Sequence, residues 1–187
     1  GPMTKNVEDC ALVYQAIAGH DTNDPYTSTE PVGWFTPTPD LRGLRVGLIQ
    51  ESLTNSLTEP VVSTAVQNAL EVLKEAGAIV SEVSIPLMSD AGVISATICD
   101  SDGAYVHRHW LRSRAKDYDV VTRRRLLAGS LISAQAYQKA QRLRVLLRNQ
   151  VLATFEGVDV LLSPTQPTTA AKIETSSGLN SNEDVLR

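Results

Sequence analysis

Two neighbouring groups in the middle of the chain could carry nucleophilic chemistry. Cys99 is followed by Asp100 and, eight residues after the cysteine, by His107, so a thiol and an imidazole base occur in one segment. A nucleophile of this kind also needs an oxyanion hole, and no sequence signature of one accompanies Cys99. We therefore interpret Cys99 as a small buried apolar residue rather than a catalytic thiol.

A pair of histidines raises the question of a metal. His107 and His109 are two residues apart, which on a helix places them about 200° apart rather than on one face. We therefore expect both histidines at the surface or at the edge of the core. The sequence predicts no metal site and no cofactor.

Residues 107–148 form a basic segment. They contain 11 Lys or Arg against Asp117 and Asp119, a local balance of +9 in a chain whose net charge is −4. Such a segment can attract phosphate or acidic substrates. Aromatic residues make up only 5% of an acidic chain, which disfavours nucleic-acid binding. A solvated helix face, neutralised by acidic neighbours, is the preferred interpretation.

The first forty residues predict a helix and a loop. Asn6 is suited to cap a helix with Asp9 at its third position, a variant of the capping box, and Gly19 ends the helix. Residues 20–40 are rich in Pro, Asn, Thr and Gly, which predicts a long surface loop.

A strand–helix–strand unit follows. Arg45–Ile49 and Ile79–Ile85 predict strands, and the helix between them begins at Pro60 and ends at Gly77. This order favours parallel pairing with a right-handed crossover. The apolar stripe of the helix is Val62, Val66, Ala69, Leu73 and Ala76.

The second half predicts helices and then one more strand. Residues 91–157 are mostly helical in pattern, with a long helix that is capped by Ser133, has Tyr137 in the core and ends at Gly157. Val158–Ser163 is a continuous apolar run, typical of a buried central strand.

The exit of that strand predicts a pocket. Pro164 and Pro167 bar further strand pairing, and ligands bind at the carboxyl ends of strands in open α/β sheets. Thr165 and Gln166 are therefore expected to line a pocket.

Composition fits one soluble globular domain. The chain has 187 residues, 42% hydrophobic and 20% charged. No apolar run approaches the roughly 18 residues of a membrane span, and no signal peptide opens the chain. Cys10 and Cys99 lie far apart, which suggests free buried thiols in a reducing compartment. We expect a cytoplasmic protein without membrane contact.

Five phrases, in order along the chain, resemble the amidase signature family, whose members hydrolyse carboxylic amides with a Ser-Ser-Lys triad. They are Val7-Glu8-Asp9-Cys10-Ala11-Leu12 with Ala16-Ile17-Ala18-Gly19, Asp40-Leu41-Arg42-Gly43-Leu44-Arg45-Val46-Gly47, Ala104-Tyr105-Val106-His107, Gly129-Ser130-Leu131-Ile132-Ser133-Ala134 with Tyr137 and Arg144, and Asp159-Val160-Leu161-Leu162-Ser163-Pro164-Thr165. The resemblance implies an α/β fold, a mixed β-sheet flanked by helices, with residues 1–187 as one partial domain.

The family's catalytic segment has no counterpart here. It needs an upstream Lys and a Gly-Gly-Ser-Ser segment, and this sequence contains no Gly-Gly dipeptide. Ser176-Ser177-Gly178 follows every matching phrase and is interpreted as part of a polar tail at 168–187. The resemblance therefore implies an internal or C-terminal-half fragment of an amidase, inactive alone, whose catalytic residues lie elsewhere.

The resemblance also implies a site residue and partners. Arg144 matches an arginine that contacts a substrate carboxylate in amidotransferase relatives, although a structural ion pair is an alternative at least as well supported. The expected partners are a small-molecule amide, the missing upstream and downstream segments of the same domain, and a second copy of the chain through self-association.

Two alternatives remain open. The chain could be a non-catalytic α/β binding module or amidase-like scaffold. It could also belong to a subunit of a tRNA-dependent amidotransferase, which would require partner subunits.

Overall fold

The computed structural model describes residues 1–34 and 40–170. Residues 1–41 and 42–187 form two compact units. In chain order, the described helices and strands are α1 (Val7–Ile17), β1 (Arg45–Ile49), α2 (Gln50–Thr54), α3 (Pro60–Glu75), β2 (Ile79–Val83), α4 (Ala91–Ser113), α5 (Val120–Gly129), α6 (Ala134–Thr154) and β3 (Val160–Leu162). Short 3₁₀ turns at Pro86–Asp90 and Ala115–Asp117 precede α4 and α5.

The first unit contains α1, which is capped by Asn6 as predicted. Asn6 Oδ1 accepts the Asp9 N–H at 2.7 Å, and Asn6 Nδ2 donates to the Asp9 carboxylate at 2.9 Å. No residue of α1 is buried, although its apolar side chains recur at helical spacing. Residues 20–34 form neither helix nor strand, in agreement with the predicted loop, of which residues 35–39 lie outside the described part.

The second unit is built on three parallel strands in the order β2–β1–β3. The predicted parallel pairing of β1 with β2 around α3 is confirmed, and so is the α/β class. No antiparallel pair occurs among the described strands. β1 lies between the other two, and its residues Val46–Ile49 are all buried.

The prediction of a buried central strand at Val158–Ser163 is wrong in two respects. β3 comprises only Val160–Leu162, and it lies at an edge of the described sheet, with β1 as its neighbour. Val158 is buried just before the strand, but Val160 is 40% exposed. An unbroken apolar run predicts a strand without showing which strands flank it.

One face of the sheet is covered by α3. Val66 and Leu70 of this helix pack on Leu48 of β1, and Leu53, Val80 and Leu162 surround them. Burying a Val or Leu side chain stabilises the fold by about 1.5–3 kcal/mol. The predicted stripe includes Ala69 and Leu73 but misses Leu70, the more deeply buried position.

Residues 91–157 are mostly helical, as predicted, and α4 packs against both α5 and α6. Ser133 caps α6 by accepting the Ala136 N–H at 3.2 Å. The contact between α4 and α6 is made by Ile94, Ile98 and Ala140, with Tyr137 and Leu143 packed around them.

A close approach joins α4 to α5. Gly129 of α5 lies against the Asp100 carbonyl of α4, with which an added Cβ would collide. Within the described ranges, no helix combines the length and the apolar character needed to cross a membrane.

Candidate functional site

An open cleft of about 460 Å³ lies at the carboxyl end of β3. One wall is α3, and the other is the segment at 163–169 that follows β3. The strand stops here because Pro164 and Pro167 have no N–H to donate to a neighbouring strand. The lining residues are Val61, Val62, Ala65, Val66, Ala69, Leu162, Ser163, Pro164, Thr165, Gln166, Thr168 and Thr169.

The lining of the cleft is mostly apolar, and none of the described residues that form it has an ionisable side chain. Thr165 and Gln166, predicted to border a pocket, both line it and are exposed. A hydroxyl and a carboxamide can donate and accept hydrogen bonds without carrying charge. This arrangement suits an uncharged ligand with an apolar part, oriented by a few neutral polar groups.

The contribution of α3 to the cleft is not predicted by the sequence pattern, which makes Val62, Val66 and Ala69 core positions of this helix. In the structure only Val66 of the three is buried, and Ala69 is exposed along the cleft together with Val61. The sequence feature that could have predicted this wall is the width of the apolar face of α3. Val61 beside Val62 makes that face wider than the contact with the sheet requires.

The amino end of β3 is fixed by an ion pair with β1. The Arg45 guanidinium donates to both carboxylate oxygens of Asp159, with Nη2 and Oδ1 2.7 Å apart. The Arg45 N–H also donates to Asp159 Oδ2 at 2.8 Å, and the Asp159 N–H donates to the Arg45 carbonyl at 2.8 Å. These contacts set the register of the two strands and hence the point where the cleft segment begins.

The same contacts change the acidity of Asp159. Hydrogen bonds from the Arg45 side chain and backbone lower the pKa of Asp159 from its ordinary 3.8 to about 2. The carboxylate is therefore ionised throughout the neutral range.

Glu51 joins the exits of β1 and β2. Its carboxylate accepts the Ile85 N–H at 3.0 Å and the Ser84 hydroxyl. Burial raises the pKa of Glu51, but the hydrogen bonds from Ile85 and Ser84 outweigh burial and hold the pKa below its ordinary 4.5. An ionised Glu51 thus fixes the chain where β2 leaves the sheet.

Arg144 is not brought to the cleft. It is exposed on α6 and is not among the lining residues. Arg144 does not border the cleft with Thr165 and Gln166, because α6 leads into the amino end of β3 and the cleft lies at the other end. Within residues 1–34 and 40–170, Arg144 forms no hydrogen bond or ion pair, so the structural ion pair considered as an alternative is not present there either.

The interpretation of Cys99 as a buried residue is wrong. Cys99 is exposed, and its Sγ lies 3.8 Å from Ser95 Oγ. The buried face of α4 runs through Ile94 and Ile98, and Cys99 lies one residue, about 100°, away from it. Cys10, the other free cysteine, is only half-buried.

His107 is held at the edge of the helical region, as expected. Its Nδ1 lies 2.8 Å from the Tyr118 hydroxyl, and its ring contacts Trp110. His109 is exposed on another side of α4. The structure thus gives His107 a hydrogen-bond partner other than Cys99.

The basic segment is partly neutralised by nearby acids. Arg125 pairs with Asp100 at 2.5 Å, and Arg114 pairs with Asp117 at 2.7 Å. Arg123 differs, because it is only 5% exposed and its Nη2 has no hydrogen-bond partner among the described residues. Arg123 Nη1 donates to the Ala115 carbonyl at 3.4 Å. A charge pattern does not predict this burial, since arginine is mostly exposed.

Comparison with known proteins identifies related amidases and a matching family model. The Amidase family model matches residues 1–187. A glutamyl-tRNA(Gln) amidotransferase subunit of Listeria monocytogenes is 34% identical over 201 residues, which cover 93% of this chain and 41% of the relative. A Pseudomonas putida amidase is 34% identical over 174 residues, covering 92% of this chain and 37% of the relative.

A solved structure shows that the similarity extends to the fold. It comes from work on a vestigial protein complex and the evolutionary origins of an s-triazine catabolic enzyme. It superposes with a TM-score of 0.81 at 30% identity, covering 94% of this chain and 38% of the other. The chain thus spans about two fifths of the length of these relatives. With the family model matched over residues 1–187, the chain belongs to the amidase family.

Proposed function

We propose that the protein carrying these residues hydrolyses carboxylic amides and that this part shapes its substrate pocket. Family membership supports the reaction class. The Gly-Gly-Ser-Ser segment expected from the resemblance is absent from residues 1–187, so the nucleophile is assigned to a part of the protein outside them.

The cleft at the carboxyl end of β3 is the observation that carries the proposal. Ligand crevices form at the carboxyl ends of parallel strands, and this cleft has an apolar wall on α3 opposite a segment with neutral hydrogen-bonding groups. Because none of the described lining residues carries a charge, the cleft favours uncharged amides that have an apolar group. An acidic substituent would lose its hydration there without gaining a counter-charge.

The role of this part in catalysis is binding and orientation. The resemblance implies that one serine attacks the amide carbonyl, a second serine relays the proton, and an unprotonated Lys accepts it. Thr165 and Gln166 take no part in those bond changes. They orient the substrate so that the carbonyl meets the nucleophile, which lowers the entropic part of the barrier.

Steady-state kinetics of the full-length protein test this proposal. Thr165→Val and Gln166→Leu should each raise KM for a neutral aromatic amide by roughly two- to tenfold, as expected for one lost hydrogen bond, and change kcat little. Gln138→Leu, on the exposed side of α6, is the matched control and should leave KM unchanged.

Two results would overturn parts of the proposal. If the unaltered protein turns over no amide, the enzyme assignment fails and the non-catalytic binding module is favoured. If both variants keep the original KM, the cleft is not the substrate site.

Arg144 supports a different specificity, for amides with an acidic group. It is exposed and unpaired within the described residues, so it is free to bind a carboxylate. In the same kinetics, Arg144→Ala should raise KM for acidic amides and leave neutral ones unchanged if this contact is made. Equal losses for both, with a lower melting temperature, would indicate a structural residue.

A tRNA-linked substrate is the second candidate, because a relative at 34% identity is an amidotransferase subunit named for glutamyl-tRNA(Gln). Salt-sensitive binding of tRNA and co-purification of partner subunits would favour this function over hydrolysis of small amides.

A further inference from the structure

The segment that carries Thr165 and Gln166 is tied to the start of α3 by one residue. Glu59 Oε2 accepts the Thr169 N–H at 3.1 Å and the Thr169 hydroxyl at 3.0 Å. The Glu59 N–H in turn donates to the Pro167 carbonyl at 2.8 Å. These three hydrogen bonds join two segments that are about 110 residues apart in the chain.

Glu59 occupies the N-cap position of α3 but does not cap it with its side chain. The usual N-cap residues are short, and their side-chain oxygen accepts an N–H of their own helix. Here the Glu59 carbonyl accepts the N–H groups of Val62 and Ser63 at 3.0 and 3.1 Å, while the carboxylate bonds Thr169. A carboxylate near the N-terminus of a helix stabilises the helix through its dipole.

Within the described part of the chain, the segment after β3 has few other hydrogen bonds. Residues 163–169 form neither helix nor strand, and Pro164 and Pro167 have no N–H to donate. The side chains of Thr165 and Gln166 make no hydrogen bond to residues 1–34 or 40–170. The segment is therefore anchored at one end by the pairing of β3 with β1 and at the other by Glu59.

We propose that Glu59 is a positioning residue that holds the Thr165–Gln166 segment against α3 and so sets the shape of the cleft. Glu59 does not line the cleft and need not touch the substrate. Its importance for substrate binding rests on the proposed function. The tie to Thr169 does not, so the two can be tested separately.

Amide hydrogen exchange in the full-length protein tests whether Glu59 holds Thr169. Glu59→Ala removes the acceptor of both Thr169 bonds and leaves the backbone bond to Pro167 possible. The Thr169 amide should then exchange at least about tenfold faster, while the Leu70 amide in the middle of α3 keeps its rate. Glu59→Gln retains one acceptor oxygen, which is all that the two bonds use, and should stay near the original rate.

Kinetics on the same variants test the effect on substrate. Glu59→Ala should raise KM for a neutral aromatic amide about tenfold with kcat within about twofold, and Glu59→Gln should restore KM. Glu75→Ala, at the other end of α3, is the matched control.

Each outcome decides the proposal. Unchanged Thr169 exchange in Glu59→Ala overturns it, and so does equal acceleration at Leu70, which would show a general loss of stability. Faster Thr169 exchange with unchanged KM would show that Glu59 holds the segment but does not affect substrate binding. If the unaltered protein has no amide turnover, the proposed function fails, and the exchange result still decides whether Glu59 holds the segment.

Discussion

Two acidic residues fix the two ends of the region around β3, by different means. Asp159 bonds Arg45 through both its side chain and its backbone, at the amino end of the strand. Glu59 bonds the segment beyond the carboxyl end. A strand of three residues has few ladder hydrogen bonds of its own, so these side chains supply much of what defines its position.

Asp159→Asn should lower the urea midpoint of unfolding at neutral pH, because it breaks the ion pair with Arg45. The pKa of Asp159 in the folded protein is about 2, below its ordinary 3.8. The stabilisation from ionised Asp159 is therefore complete above about pH 4 and is lost as the pH falls through about 2. The difference in midpoint between the unaltered protein and the variant should shrink as the pH falls from about 4 through about 2.

Glu71→Gln is the control for this series. Glu71 pairs with Lys74 on the exposed face of α3, and surface pairs of this kind contribute little. A midpoint difference for Asp159→Asn that stays constant down to pH 2 would contradict the assigned ionisation.

At the scale of the elements, the contact between α4 and α5 tolerates little added volume at Gly129. Gly129→Ala would drive a methyl group into the Asp100 carbonyl, so we expect a loss of about 1–3 kcal/mol in the free energy of unfolding. Gly92→Ala, in the first turn of α4 with open space around it, should be neutral or stabilise by up to about 1 kcal/mol. If urea titrations show the same change in unfolding free energy for both variants, α4 and α5 move apart easily to accommodate the methyl group.

Elements can be predicted from the sequence where their signals are local. Asn6 and Ser133 start helices because their side chains accept bonds within the next three residues. The bounds of β1 follow in the same way from residues close in sequence.

Features that depend on distant neighbours cannot be predicted in this way. The edge position of β3 depends on which strands lie beside it, and the exposure of Ala69 depends on a cleft formed by a segment about 100 residues away. The position of Thr165 and Gln166 in the cleft lining can be predicted, because two prolines end the strand beside them. The Glu59 tie is not, since a glutamate before a helical Pro60 gives no sign of a partner at Thr169.

At the scale of the whole molecule, the described residues leave apolar surface uncovered at a sheet edge. Val160 of β3 is 40% exposed, and β1 is its described neighbour on one side. Unpaired edges of this kind associate with other chains. We therefore expect residues 1–187, prepared alone, to self-associate, with a sedimentation coefficient that rises with concentration.

Val160→Lys should reduce that association, because a charged side chain on an edge strand opposes pairing. Val145→Lys is the matched control, since Val145 is 52% exposed on α6 and away from any strand. A monomer at all concentrations before any substitution, or equal effects of the two lysines, would contradict association through β3.

The neutral lining of the cleft also bears on how the protein responds to its medium. Among residues 1–34 and 40–170, the cleft is lined by valine, alanine, leucine, proline, serine, threonine and glutamine alone. None of these side chains gains or loses a proton between about pH 6 and pH 9. We therefore expect ligand binding at this wall to be the same in a mildly acidic and in a mildly alkaline solution. Raising the salt concentration should change it little as well, because no charged side chain among the described residues lines the cleft.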